Sequence, residues 1–359
     1  MLILFFLLIL ITENNSDNSG NSIEIILKKL SNGNNEYSPY TFNFTLDNNT
    51  LIKYPSIFDT TQTYILLQEE NEVLENIINN NYFNCINYNS TVYKDLGKCE
   101  ISIRNETTFY YFKTKEKISD KSILGIIGLS NINKNKSIII GDNSENYYSS
   151  LNILQKDRNF SNNIINFIQK EDDEAIIKFG DIDNQFKKEH SRTCKCNGKY
   201  WSCELSSLKI GGNEIYTSQA TESAIFSISD EYIIAPSKQG NITLEYYKNK
   251  IRELFGIDCY IKFGKYNYSN FTCNYFNYED LPDLSFVMKG GIQIMALSID
   301  LFKIIKDYKL ELKIKYNKNN INSKDNWYLG EPVVKNYNFL LNYTNGKNAL
   351  LVSLSRLHV

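Results

Sequence analysis

Apolar and polar residues alternate with a period of two over much of this 359-residue chain. Residues 41–46 (TFNFTL) alternate strictly, and residues 100–112 alternate in a way that predicts a hairpin. Residues 123–130 (ILGIIGLS) are an apolar run whose glycines permit close backbone approach, which predicts a buried strand. Further strands are predicted at residues 175–179, 200–210, 214–217, 282–288, 327–330, 337–341 and 349–354.

Helical patterns are fewer. Residues 146–169 give the best helical prediction and residues 241–255 a second one, whereas residues 297–305 fit either a helix or a strand. Residues 23–27 are an apolar patch within a polar, Asn-rich segment, and we interpret them as a pro-segment strand or a first edge strand. Many short strands with scattered helices predict a mostly-β chain.

One stretch of sequence occurs twice. Residues 56–67 (SIFDTTQTYILL) and residues 224–234 (AIFSISDEYII) align without a gap, and this indicates two duplicated lobes. Asp59 is the only acidic residue in the first copy of the repeat, and it aligns with Ser227 in the second copy. The identical pairs are Ile57 with Ile225, Phe58 with Phe226, Tyr64 with Tyr232, and Ile65 with Ile233.

Composition limits the possible partners. Hydrophobic residues make up 42% of the chain, and 359 residues suffice for two domains of ordinary size. The net charge of -2 gives no attraction toward nucleic acid, so none is expected as a partner.

The amino terminus predicts entry into the secretory route. Residues 1–11 (MLILFFLLILI) are unbroken apolar and too short to span a bilayer, so residues 1–13 are predicted to be a signal peptide, with an uncleaved anchor as the alternative. No later stretch is long enough for a membrane span, and a secreted or lumenal protein is expected. Eleven N-x-S/T sequons agree with a glycoprotein; they include Asn43, Asn89, Asn241 and Asn270.

Seven cysteines in an oxidising compartment predict disulfides with one thiol left over. Each of the pairs Cys85–Cys99 and Cys259–Cys273 brackets a short loop. A third group contains Cys194, Cys196 and Cys203; the candidate pair is Cys196–Cys203, and which of the three stays free is left open. A zinc cluster of His190 with these three cysteines is the alternative, but we expect no metal and no cofactor.

The repeat, the glycine-containing strands and the hairpins together resemble the pepsin-like aspartic peptidases. The resemblance runs from about residue 40 to the C-terminus. Its blocks, in order, are residues 57–61 (IFDTT), 125–129 (GIIGL), 179–183 (FGDID), 200–201 (YW), 224–236, 281–286 (LPDLSF) and 327–330 (WYLG).

The resemblance implies a bilobal, mostly-β acid-protease fold with a central cleft between two duplicated β lobes. A polar segment (residues 14–39) would precede an N-terminal lobe at 40–183, a junction at 184–199 and a C-terminal lobe at 200–359. The expected ligand is an extended peptide or substrate-like protein, bound by a monomer. The flap tyrosine of the family would fall near Asn105.

The chemistry of the family needs two carboxylates about 3 Å apart that share one proton, so that one acts as acid and the other as base. Asp59 occupies the first position and Ser227 the second, and a serine hydroxyl is far too weak an acid to share a proton in this way. The glycine that follows Asp-Thr in each family loop is replaced by Thr61 and Ser229, and Thr60 is opposite Ile228.

We therefore predict a catalytically dead or severely impaired pepsin homologue. An active aspartic endopeptidase is the first alternative, in which a shifted loop would bring Asp230 or Glu231 into the cleft. A structural surface glycoprotein is the second. Ser227 as a hydrolase nucleophile would need a base, and the two histidines, His190 and His358, lie outside the matched blocks.

Overall fold

The computed structural model divides the chain into two compact units: Met1–Asp183 with Asn342–Gly346, and Asn184–Leu341 with Lys347–Val359. It describes residues 23–29, 40–44, 54–59, 65–68, 83–87, 96–101, 107–114, 125–128, 138–140, 145–147, 164–170, 174–183, 186, 192–195, 201–218, 222–264, 267–318, 326–342 and 349–354.

The described part of the first unit consists of strands. They pair in the order β11-β12-β1-β2-β3-β8-β4-β7-β6-β5, and β9 and β10 form a separate hairpin. Their bounds are β1 Ile23–Lys29, β2 Tyr40–Phe44, β3 Tyr54–Asp59, β4 Ile65–Gln68, β5 Phe83–Asn87, β6 Leu96–Ile101, β7 Thr107–Thr114, β8 Gly125–Gly128, β9 Ile138–Ile140, β10 Glu145–Tyr147, β11 Ile164–Gln169 and β12 Glu174–Phe179.

One of the two alternatives for residues 23–27 and the helix predicted at residues 146–169 are wrong. Strand β1 is not an edge strand, because it pairs antiparallel with β12 on one side and with β2 on the other. Residues 164–169 are strand β11 and not the end of a helix. All six side chains of β11 are buried, and such a strand reads as a continuous apolar run whose spacing also fits a helix.

The second unit contains three sheets or parts of sheets: β21-β20-β14-β16-β25-β17-β24 with β15 paired to β14, β18-β19-β23-β22, and β13-β27-β26. The strands are β13 Arg192–Lys195, β14 Ser202–Ile210, β15 Asn213–Thr217, β16 Ser223–Phe226, β17 Ile233–Ala235, β18 Tyr260–Phe263, β19 Ser269–Asn274, β20 Leu284–Met288, β21 Gln293–Ala296, β22 Phe302–Ile305, β23 Lys309–Leu312, β24 Ile314–Tyr316, β25 Asn326–Leu329, β26 Tyr337–Asn342 and β27 Ala349–Leu354. The helices are α1 Ser237–Phe255, α2 Ser298–Leu301 and α3 Glu331–Val334.

Helix α1 begins after Pro236 and ends at Gly256, whose φ of 66° is the left-handed conformation that closes many helices. Leu244, Tyr247 and Ile251 are fully buried, and their spacing of three and four residues places them on one face. The predicted helix at 241–255 is therefore correct but starts four residues too late.

The core of the second unit is rich in aromatic residues. Trp201 and Trp327 are fully buried, and the Phe286 ring meets Trp327 edge to face with centroids 5.3 Å apart. The ambiguous segment at 297–305 is both elements in turn, helix α2 followed by strand β22. Among the described helices, none is long and apolar enough to cross a membrane.

Candidate active-site loops

Ser227 follows directly on strand β16 in the second unit. Its side chain is fully buried, and its backbone N–H donates to the Leu329 carbonyl at 3.0 Å. Its Oγ lies 3.4 Å from Oγ of the half-buried Ser229, and Ile228 between them is buried. The hydroxyl therefore sits in a polar pair within the loop.

The strands around this loop fix its register. Strand β16 runs parallel to β25, with Phe226 opposite Leu329. After the loop the chain returns as β17, which pairs antiparallel with β25 at Ile234 and Tyr328, and parallel with β24. Ser227 thus follows the last paired residue of its strand, at the level of Gly330.

The first unit repeats this arrangement. Strand β3 runs parallel to β8, with Phe58 opposite Ile127 and Asp59 opposite Gly128. Strand β4 then pairs antiparallel with the same β8 and parallel with β7. The orders β3-β8-β4-β7 and β16-β25-β17-β24 are the same topology, so the duplication seen in the sequence is also present in the backbone.

The strand pairing and the sequence repeat match the same residues of the two units. Leu66 pairs with Ile126, and its counterpart Ile234 pairs with Tyr328, which agrees with the gapless match of Ile65 to Ile233. In the parallel pairs, Phe58 and Phe226 precede the loops at equivalent positions. Asp59 and Ser227 are therefore equivalent backbone positions in the two units.

Gly330 packs against the backbone of the loop that follows Ser227. A Cβ atom at this position would lie 2.4 Å from the Tyr232 carbonyl oxygen and 2.5 Å from the Asp230 carbonyl oxygen. The Glu331 N–H donates to the same Asp230 oxygen at 2.8 Å. Only glycine permits this approach, so the backbone of residues 230–232 is packed directly on the end of strand β25.

Glu231, a candidate replacement acid, is bound in an ion-pair network. Its Oε1 accepts from Nζ of Lys303 at 2.6 Å, and Lys303 also bonds the Tyr232 hydroxyl at 2.6 Å and Glu311 at 3.1 Å. Lys315 lies 3.6 Å from Glu311 and 3.4 Å from the centre of the Tyr232 ring. The Glu231 carboxylate is thus engaged within its own unit.

Lys303 and Tyr232 keep their protonation states in the acid range. Burial raises the pKa of the Tyr232 phenol above its ordinary value, and this outweighs the hydrogen bond from Lys303. Burial lowers the pKa of Lys303, but its hydrogen bonds to Glu231 and Tyr232 leave that pKa raised overall. Lys303 therefore stays cationic and Tyr232 neutral between pH 3 and 7, the range in which a pair of carboxyl groups would work.

The sequence did not reveal these contacts. The WYLG block contains Gly330, but nothing in the sequence indicates its contact with residues 230–232. Lys303, Glu311 and Lys315 come from three strands of two sheets and carry no common motif. Several predicted positions lie outside the described residues: Thr60, Thr61, Asn89, Asn105, His190, Cys196 and His358.

The structure contains the predicted disulfide Cys259–Cys273 and a second one, Cys194–Cys203. The candidate pair Cys196–Cys203 is therefore wrong. Cys194 lies buried in strand β13, with its Cα 5.4 Å from that of Cys203, a normal span for a disulfide. Cys85 and Cys99 are opposite each other in strands β5 and β6, and their disulfide stays a prediction.

A zinc site at the third cysteine group is contradicted, because Cys194 and Cys203 are consumed by their disulfide. No cluster of three or more potential metal ligands occurs in the part of the chain that the structure describes. Disulfides persist in oxidising compartments, and both bonds are compatible with a secreted or lumenal protein.

Comparisons with known proteins identify the fold. No protein-family model and no curated protein sequence matches the chain. The crystal structure of basic 7S globulin from soybean matches with a TM-score of 0.63 and 12% identity, over 95% of this chain and 98% of that chain. The fold is pepsin-like. In all, 366 chains of solved structures match, and a fold that common does not by itself assign an activity.

Proposed function

We propose that this chain is a pepsin-fold protein that lacks effective aspartic peptidase activity and binds extended peptides in the cleft of that fold. We place it in the secretory route, as a secreted or lumenal glycoprotein. The observation that carries the proposal is the equivalence of Asp59 and Ser227 in strand register, because it sets a serine where the reaction needs a second carboxylate.

The chemistry of peptide hydrolysis supports this. One carboxylate takes a proton from the attacking water, and the other donates a hydrogen bond or a proton to the developing oxyanion. A single Asp59 has no partner with which to share a proton. Loss of a positioned general acid typically costs about 10²–10⁴-fold in rate, and loss of half of a cooperating pair can cost more.

The surroundings of Ser227 support the same conclusion. Glu231 is held by Lys303, and the backbone of Asp230 is fixed against Gly330. A one-residue shift of the loop toward the cleft would break the contact with Gly330 and the pairing of Ile234 with Tyr328. Neither acid therefore offers an easy substitute.

Peptide binding does not need the second acid. An extended peptide bound in such a cleft gains most of its affinity from main-chain hydrogen bonds, as if it added a strand to a sheet. The loss of the acid removes catalysis and leaves those backbone groups in place. We therefore expect the cleft to bind a substrate-like segment and to release it uncleaved.

Hydrolysis of a denatured protein by the purified chain, between about pH 3 and 7, tests the catalytic part. The control is Asp59→Ala. We expect no cleavage by the wild type above that control. Cleavage that disappears in Asp59→Ala would instead establish an active endopeptidase, and Asp230→Asn and Glu231→Gln would then identify the replacement acid.

Calorimetric titration with a statine-type inhibitor and with an extended peptide tests the binding part. We expect saturable binding by the wild type. If neither ligand binds and no cleavage occurs, the binding proposal is wrong and the structural glycoprotein remains.

A further inference from the structure

The four-stranded sheet of the second unit has a polar outer face. In its order β18-β19-β23-β22, the middle strand β19 alternates: Phe271 and Cys273 are buried, whereas Thr272 and Asn274 are directed outward. Tyr260 pairs with Thr272 and is 62% exposed. This face therefore presents hydroxyls, amides and an aromatic ring to solvent.

A pocket of about 320 Å³ lies on this face. Its volume is at the lower end of the range of small-ligand sites, about 300–1,000 Å³. No acidic residue is among those that line it, which are Tyr260, Lys262, Thr272, Cys273, Asn274 and Lys309.

The two lysines at the pocket have no anionic partner among the described residues. Lys262 and Lys309 are exposed, and neither forms an ion pair within that part of the chain. Glu311, opposite Thr272 on this face, forms ion pairs with Lys303 and Lys315.

The spacing of the lysines fits an extended ligand. Lys262 pairs with Asn270 and Lys309 pairs with Asn274, so the lysines flank β19 on opposite sides and four residues apart along it. Strand spacings of about 4.8 Å and a rise of about 3.3 Å per residue place their Cα atoms roughly 16 Å apart. Tyr260 pairs with Thr272, which is midway between Asn270 and Asn274 along β19.

We propose that this face binds an acidic saccharide, a short chain of sugar rings that carries sulfate or carboxylate groups. Two anionic groups of such a chain would meet Lys262 and Lys309. The Tyr260 ring offers a flat apolar surface with a hydroxyl at its edge, and Thr272 and Asn274 supply hydrogen-bonding groups for sugar hydroxyls.

An acidic peptide fits less well. A peptide strand would add to the free edge of β18, whereas the pocket lies on the face of the sheet. The same face also carries the sequon of Asn270, of which Thr272 is the third residue. A glycan on Asn270 would stand beside Lys262 and cover the pocket, so the proposed site requires that Asn270 carries no glycan.

The test is calorimetric titration of the full chain, prepared as Asn270→Gln so that no glycan covers the face. The probes are a heparin hexasaccharide (sulfated), a hyaluronan hexasaccharide (carboxylated), neutral maltohexaose, hexaglutamate and inorganic sulfate. The variant Lys262→Gln/Lys309→Gln is compared with Lys248→Gln/Lys250→Gln, which removes the same charge from helix α1. Circular dichroism verifies that each variant is folded.

We expect at least one acidic hexasaccharide to bind, more weakly as salt rises. The pocket variant should lose tenfold or more in affinity and the helix variant less than twofold. Tyr260→Ala should weaken binding more than Tyr260→Phe. Comparison of the heparin and hyaluronan titrations distinguishes recognition of sulfate groups from recognition of carboxylate groups. Equal losses in both lysine variants, equal binding of maltohexaose, hexaglutamate or inorganic sulfate, or no binding of either acidic probe would each overturn the proposal.

Discussion

Replacing Gly330 with alanine tests the packing that positions the Ser227 loop. The new Cβ would meet the carbonyl oxygens of Tyr232 and Asp230 at 2.4 and 2.5 Å, below the 3.0 Å that real Cβ contacts respect. Relief requires a shift of at least about 0.6 Å. The opposing atoms are backbone, so no side chain can turn away. Because the φ of -87° at Gly330 is one that alanine adopts, the substitution tests the contact of the new Cβ with the two carbonyl oxygens.

The expected cost follows from two contributions. Overpacking of this kind costs about 1–3 kcal/mol, and loosening the bond from the Glu331 N–H to the Asp230 oxygen adds about 0.5–1.5 kcal/mol. A loss of about 1.5–4.5 kcal/mol in the free energy of unfolding corresponds to a fall in Tm of roughly 3–18 °C for a domain of this size. Thermal unfolding followed by circular dichroism measures it.

Gly264→Ala is the matched control. Its Cβ would lie 3.6 Å from Nδ2 of Asn270, an ordinary contact, so the unfolding free energy should change by less than about 1 kcal/mol. If Gly330→Ala melts within about 2 °C of the wild type, the backbone of residues 230–232 is not packed against Gly330, and the packing described for this loop is wrong.

Three further predictions concern the second unit. Non-reducing peptide mapping should find Cys194 joined to Cys203; Cys196→Ser should leave that bond intact, and Cys194→Ser should lower stability by about 2–3 kcal/mol. Lys303→Met leaves Glu231 and Glu311 without their shared cation and should cost about 1–3 kcal/mol in urea unfolding, whereas Lys250→Met, at an exposed pair, should cost less than about 0.5 kcal/mol; equal effects would contradict the network. Burial raises the pKa of the Tyr247 phenol, so the stability it contributes is complete below about pH 10 and is lost above, where the unfolded phenol ionises. Tyr247→Phe should therefore lose less stability than the wild type between pH 8 and 10.5, and parallel losses would refute this.

The repeat was predictable because its identities fall at both ends of the loop. Phe58 with Phe226 and Ile65 with Ile233 lie on either side of the acid position, and strand pairing reproduces the same register. The glycines that end β8 and β25 were visible as well. The local sequence pattern was enough to predict the repeat, because the strand, the tight loop and the returning strand are consecutive in the chain.

Contacts between distant strands were not predictable in the same way. The choice between Cys194 and Cys196 depends on how strand β13 is placed, and the two cysteines differ by only two positions in sequence. The sequence of strand β11 also fits a helix, because burial on both faces erases the alternation that marks a strand. The ion pairs of Lys303 join residues separated by up to 72 positions and leave no sequence signal.

Hydrolysis of a denatured protein by Ser227→Asp, compared with the wild type and with Asp59→Ala/Ser227→Asp between about pH 3 and 7, tests the central claim most directly. We predict no detectable cleavage by the wild type, and cleavage at least about a hundredfold faster by Ser227→Asp, since a positioned acid contributes about 10²–10⁴-fold. The double variant should be inactive again. Cleavage by the wild type as fast as by Ser227→Asp would contradict the claim that the serine at position 227 is what disables this chain.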